Sequence, residues 1–140
     1  MQTADVLDAI GGLTAQLKTY AAKLPPVVHL AVVPTGIRPK LEAVDDYEDI
    51  VSRFRDQSTG TVYKGLNESF VASLEAFEVG NLLGSVQPLL AAIDHVERMQ
   101  RDKEVEVGRI DEKRLAEYRI SLNKILPGNK PELDGAGRGM

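Results

Sequence analysis

The sequence predicts a mainly α fold: a four- or five-helix antiparallel bundle with one short extended element at residues 27–33 and a flexible C-terminal tail. Three observations carry this. Apolar residues recur at helical spacing over several segments, prolines and glycines separate those segments, and only one run, Val27 to Val33, has the composition of a buried strand. The connections are short, which favours antiparallel neighbours.

The first helix is the clearest. Thr3 is a candidate cap for a segment carrying Val6, Ile10, Leu13, Leu17, Tyr20 and Leu24. The steps alternate four and three, which places all six on one stripe like a coiled-coil seam. Pro25 and Pro26 stop it. Gly11 and Gly12 lie inside, where each costs about 1 kcal/mol against Ala unless a close neighbour needs the space.

Val27–Val33 follows, uncharged and closed by Pro34. A strand needs partners for its backbone groups. Thr61-Val62-Tyr63 and Glu104-Val105-Glu106-Val107 are the two weak candidates, and an extended connector lying on the helices is the alternative. Pro39 suits the first turn of a second helix, with Leu41, Val44, Tyr47, Val51 and Phe54 facing inward, Ile50 alongside and an end near Gln57. Asn67 is a candidate cap for a third, with Phe70, Val71, Leu74 and Phe77 inward and Gly80 as its stop. Ser85 is the expected cap of a fourth, with Pro88 in its first turn and Val86, Leu89, Leu90, Ile93, Val96 and Met99 as its stripe. If Gly80 and Gly84 do not break the chain, the third and fourth are one kinked helix. Asp111 is the expected cap of a last helix bearing Leu115, Tyr118, Leu122, Ile125 and Leu126, ended by Pro127-Gly128.

Length supports one domain, 1–126, with residues 127–140 as a tail rich in glycine, proline and charge. Composition is ordinary for a folded protein: 43% apolar and 27% charged. Aromatics reach only 5% and tryptophan is absent, so Leu, Val, Ile and Ala must build the core. There is no cysteine, which removes disulfides, thiolate catalysis and cysteine-based metal sites. The apolar runs are too short to cross a bilayer, and no basic-then-apolar leader is apparent. The expectation is a protein made in the cytoplasm, with incorporation into a larger particle open.

The net charge is −4. Residues 1–94 hold seven basic and twelve acidic side chains, and residues 95–140 hold ten and nine. Neither part has the positive field of a nucleic-acid binder, so no nucleic acid and no membrane are expected as partners.

Candidate chemistry is sparse. His29 sits in the apolar run with no acidic neighbour to orient it. Asp94 and His95 point about 100° apart on a helix, and the residues four positions either side of His95 are alanine and methionine, so a metal site is poorly supported. The acids of Glu42–Asp49 have helical spacing, not that of a calcium loop, and read as a solvated face. "TGTVYKG", Thr59–Gly65, has glycines and a lysine but lacks the order of a phosphate loop. Arg98 to Arg119 holds seven cations interleaved with acids, with Glu112 and Glu117 expected to pair within the helix.

The reading is therefore a non-enzymatic interaction or structural subunit of a larger assembly, cellular or viral, with no catalytic, cofactor-binding or metal residues and no cofactor. Its partner is another protein or a second copy of the chain. The expected partner-binding residues are Val28, Leu30 and Val32 of the extended run, which are suited to joining a neighbour's sheet, and Leu133 and Met140 of the tail. The alternative is a small regulatory or ligand-binding helical domain with an apolar pocket between helices.

Overall fold

The computed structural model describes residues 1–23 and 38–125. Among these are five α-helices: α1 (Thr3–Ala22), α2 (Leu41–Ser58), α3 (Asn67–Glu78), α4 (Leu82–Arg101) and α5 (Arg109–Ile125). A 3₁₀ turn, Val62–Leu66, joins α2 to α3. The extended run 27–33, with Val28, His29, Leu30 and Val32, lies outside the described residues, as do Leu24, Leu126 and the tail with Leu133 and Met140.

The direction of each helix follows from which residues meet. Phe54 meets Phe70 edge-on at 4.5 Å and Tyr47 stacks on Phe77 at 4.4 Å, so α2 and α3 are antiparallel. Ser73 bonds to Ser85 across α3 and α4. Arg119 of α5 reaches Asp94 and Gln100 of α4 reaches Glu112, again antiparallel. Gly12 faces Ile50, and Tyr20 shares a cleft with Ala43, so α1 and α2 are antiparallel too. α1 and α5 differ: Asp8 meets Arg114 and Gly11 meets Tyr118, so these two run parallel. The five helices close into a ring, each touching the next, with α1 also reaching α4.

α1 owes its burial to that ring. The seam Val6, Ile10, Leu13 and Leu17 is wholly buried and Tyr20 nearly so. A second row seven residues apart, Leu7, Thr14 and Ala21, is buried as well. A helix with neighbours on two sides needs a stripe wider than a heptad seam. Phe54, Phe70, Phe77, Leu89, Ile93, Val96, Leu115 and Leu122 fill the same core. Leu41 departs from its expected inward place. It is the first residue of α2, level with the last residue of α3, and is 76% exposed.

The turns explain the boundaries. After α3, Gly80 adopts φ +75°, Asn81 N–H donates to Ala76 O at 2.8 Å and Gly80 N–H to Phe77 O at 3.0 Å. This Schellman arrangement ends α3 and separates it from α4. α4 ends the same way: Glu104 N–H donates to Met99 O and Lys103 N–H to Gln100 O, with Lys103 at φ +60° in the place usually given to glycine.

Several caps differ from expectation because the candidate side chains have other partners. Gln2, not Thr3, precedes α1, and its N–H donates to the Asp5 carboxylate at 2.8 Å. The Thr3 hydroxyl donates to Glu106 O at 2.8 Å, so the Tyr63 hydroxyl 2.6 Å away must donate to Thr3. That ties residues 104–107 over the start of α1 as an irregular connector, and Val62-Tyr63 belongs to the 3₁₀ turn, so neither weak strand candidate is a strand. Asn67 is the first residue of α3, and its amide donates to Ser58. Asn81 caps α4, accepting from Gly84 N–H at 2.9 Å, which places Ser85 and Pro88 inside the helix. Pro39 falls before α2, whose cap is Lys40. Asp111 lies within the first turn of α5, where it faces Arg114 at 3.8 Å.

Candidate functional site

The most unusual internal chemistry is a polar row inside the core. Ser73 Oγ donates to Ser85 O at 2.6 Å and Ser85 Oγ donates back to Ser73 O at 3.0 Å. With the Ser73 proton so placed, the Tyr47 hydroxyl, 2.5 Å away, is the donor to Ser73 Oγ. All three side chains are wholly buried. Burial pushes the Tyr47 phenol far above the ordinary tyrosine value, and the bond to Ser73 opposes this only in part. The hydroxyl stays neutral and sealed from solvent. It clamps α2, α3 and α4 together and has no access to a substrate.

The nominated chemical groups fall apart spatially. His95 is half-buried alongside Gly65, where an added Cβ would lie 3.4 Å from His95 Cε1. Its neighbours Asp94 and Glu97 both point to Arg119, at 2.7 and 2.6 Å. The acids of Glu42–Asp49 are exposed, and no group of three metal-ligating side chains gathers among the described residues. Lys64 is an exposed member of the 3₁₀ turn. Glu112 bonds to Gln100 of α4 and not within its own helix. Of the cations in 98–119, Arg114 joins α5 to Asp8 of α1, and Arg119 joins it to α4.

Three clefts open at one end of the bundle, while two others lie away from it, one of about 340 Å³ beside Gly12 and Arg53 and one of about 460 Å³ beside Thr3 and Tyr63. Tyr20 Oη donates to Gly80 O at 3.3 Å, so the end of α1 meets the α3–α4 turn. The start of α2 lies beside both. One cleft of about 390 Å³ runs between the end of α1 and the start of α2, past Tyr20, Lys23, Arg38 and Lys40. A second, of about 440 Å³, is walled by Pro39, Leu41, Val44 and Val79. A third, of about 310 Å³, lies between the ends of α1 and α5, beside Lys18 and Lys124.

No family model, curated protein or solved structure matches this chain.

The second cleft sets exposed apolar side chains beside the charged Arg38 and Glu78. Leu41 is 76% exposed and Val79 46% exposed, and both face the same groove. The sequence expected Leu41 in the core, so this surface was missed. Its signal was the position of Leu41 directly after Lys40, at the helix start, where no preceding turn covers it. The expected partner-binding residues Val28, Leu30, Val32, Leu133 and Met140 lie outside the described residues. Among the described residues, no helix is long and apolar enough to cross a membrane.

Proposed function

We propose that the protein is a non-enzymatic interaction or structural subunit of a larger assembly, engaging another protein through the end of the bundle where α2 begins and α3 stops. The observation that carries this is the open groove of Leu41, Val44, Val79 and Pro39. Exposed leucine and valine gain nothing from water, and burying such a groove under a partner is favourable by about 25 cal/mol per Å² of apolar surface. The buried polar groups Tyr47, Ser73 and Ser85 support the same role, since their bonds hold the helices that shape the groove.

The test is the native mass of the full chain isolated from its source cells. The expected result is a complex well above the 15.3 kDa of the chain, and its loss in a Leu41→Asp, Val79→Asp double variant that keeps its helical spectrum. A chain recovered only at 15.3 kDa overturns the reading. The cleft between α1 and α2 favours a second reading, a small ligand-binding domain. A small molecule copurifying with the chain at that mass would select it.

A further inference from the structure

α5 is held differently from the rest of the bundle. Its buried side chains are Leu115, Leu122 and Ile125, whereas α1 buries nine and α4 eight. Instead, every ion pair between helices among the described residues belongs to α5: Arg114 with Asp8 of α1, and Arg119 with Asp94 and Glu97 of α4. Asp8 and Asp94 are exposed, so water reaches this seam, and such pairs hold weakly against solvent and salt. The other helices are joined by buried aromatic contacts and by the bonds of Tyr47, Ser73 and Ser85, which are shielded from both.

The connector that returns the chain from α4 to α5 is strained. Lys103 holds φ +60° where the chain turns back. Glu104 to Gly108 follow without regular structure, and the Glu106 carbonyl ties them to Thr3. A short strained hinge beside a weakly latched element favours exchange of that element between copies. The opened chain loses the strain, and the second copy restores every contact.

The seat beneath α5 is fitted to α5. Gly11 leaves the room that Tyr118 fills, and Ala21 and Ala22 line a cleft with Ile125. The acids of the seat match the two arginines in charge. We infer that α5 and its connector exchange between two copies of this chain, so that each copy's α5 lies in the seat of the other. The inference goes beyond the partner groove, since Leu41 and Val79 take no part in it.

The test is sedimentation equilibrium of the full chain over a range of concentrations. A dimer of twice the 15.3 kDa chain is expected at high concentration, and it persists in the Leu41→Asp, Val79→Asp variant. Two charge reversals identify the exchange. Asp8→Arg and Arg114→Asp each set like charges together, both in the closed chain and in its own dimer. In an exchanged mixed dimer, the new arginine of one copy meets the new aspartate of the other, and the native Asp8 meets the native Arg114. The mixture should dimerise at least about tenfold more strongly than either variant alone. At the hinge, Lys103→Pro cannot adopt the positive φ and should raise the dimer fraction. Lys103→Gly relaxes the closed turn of both chains and should weaken dimerisation about fivefold. A chain that stays single at every concentration, a mixture no stronger than its components, or a monomeric Lys103→Pro chain overturns the inference. If the only complex is one that Leu41→Asp, Val79→Asp abolishes, exchange falls and the groove reading stands.

Discussion

The Tyr118 hydroxyl of α5 lies over Gly11 of α1, in the space a side chain at position 11 would take. A Cβ added there would fall 2.5 Å from the phenol oxygen and 2.8 Å from Cζ. The ring cannot retreat freely, since Arg114 donates to its hydroxyl from Nε at 3.3 Å and from Nη2 at 3.0 Å. Glycine at this position is what lets two parallel helices meet.

Gly11→Ala should therefore destabilise the protein by about 1–3 kcal/mol, although alanine is the better helix former. Gly12→Ala is the contrast. Its Cβ would meet only Ile50 Cδ1 at 3.0 Å, the free end of a flexible side chain. That variant should be near neutral or slightly stabilising. Urea midpoints of the two variants decide it, and a Gly11→Ala, Tyr118→Leu double variant should recover most of the loss.

Leu17→Ala should cost about 2–5 kcal/mol, because Leu17 is wholly buried in the middle of the α1 seam, with α2, α4 and α5 around that helix. Denaturant melts read the loss directly. A change indistinguishable from zero would show that α1 is not docked in the isolated chain.

Lys103→Gly should stabilise the protein by about 0.5–1 kcal/mol. Lys103 holds φ +60° at the end of α4, a conformation that costs an L-residue more than glycine. The Schellman bonds of Glu104 and Lys103 are made by backbone and survive the change. Thermal melts provide the check, with Asp102→Gly, one residue earlier at φ −83°, as the control that should not stabilise.

Tyr47 gives the stability a dependence on alkaline pH. Its folded phenol is raised above the ordinary value of 10.0, so the unfolded chain releases this proton first. The contribution is fully present below pH 10 and declines above it, by about 1.4 kcal/mol per pH unit for one proton. Tyr47→Phe should lower stability at pH 7 by about 0.5–1.5 kcal/mol for the lost bond to Ser73, and should flatten the decline above pH 10. Unfolding midpoints at pH 8 to 11 compare the two slopes.

What could be read from the residues was what depends on near neighbours in sequence. The α1 seam was legible because Val6, Ile10, Leu13 and Leu17 repeat within one helix, whereas the pair Gly11-Gly12 could be read either as a cost to the helix or as room for a close neighbour. Gly80 was legible as a stop because the positive φ it adopts favours glycine. The caps were less so. Ser85 and Thr3 have the chemistry of caps, but each hydroxyl is taken by a residue distant in sequence, Ser73 in one case and Glu106 in the other. The row of Tyr47, Ser73 and Ser85 was invisible for the same reason: a serine within a helix looks like surface until its partner is placed opposite. The groove was missed because Leu41 continues the apolar period of α2 to its first residue, level with the last residue of α3.

The parallel pairing of α1 with α5 sets an order of assembly. Tyr47, Phe54, Ser73 and Ser85 belong to a consecutive run of antiparallel neighbours, whereas Gly11 and Tyr118 are separated by nearly the whole described chain. Closing so long a loop has an entropic cost that is repaid only when the ring shuts. α2 to α4 should form the folding nucleus and α5 should dock last. In chevron kinetics, Phe70→Leu or Phe77→Leu should then slow folding, while Leu122→Ala and Arg119→Ala should act mainly by speeding unfolding. The strength of the α5 seam, with its Arg114–Asp8 and Arg119–Asp94 pairs, would thus govern the lifetime of the folded state and leave its rate of formation almost unchanged.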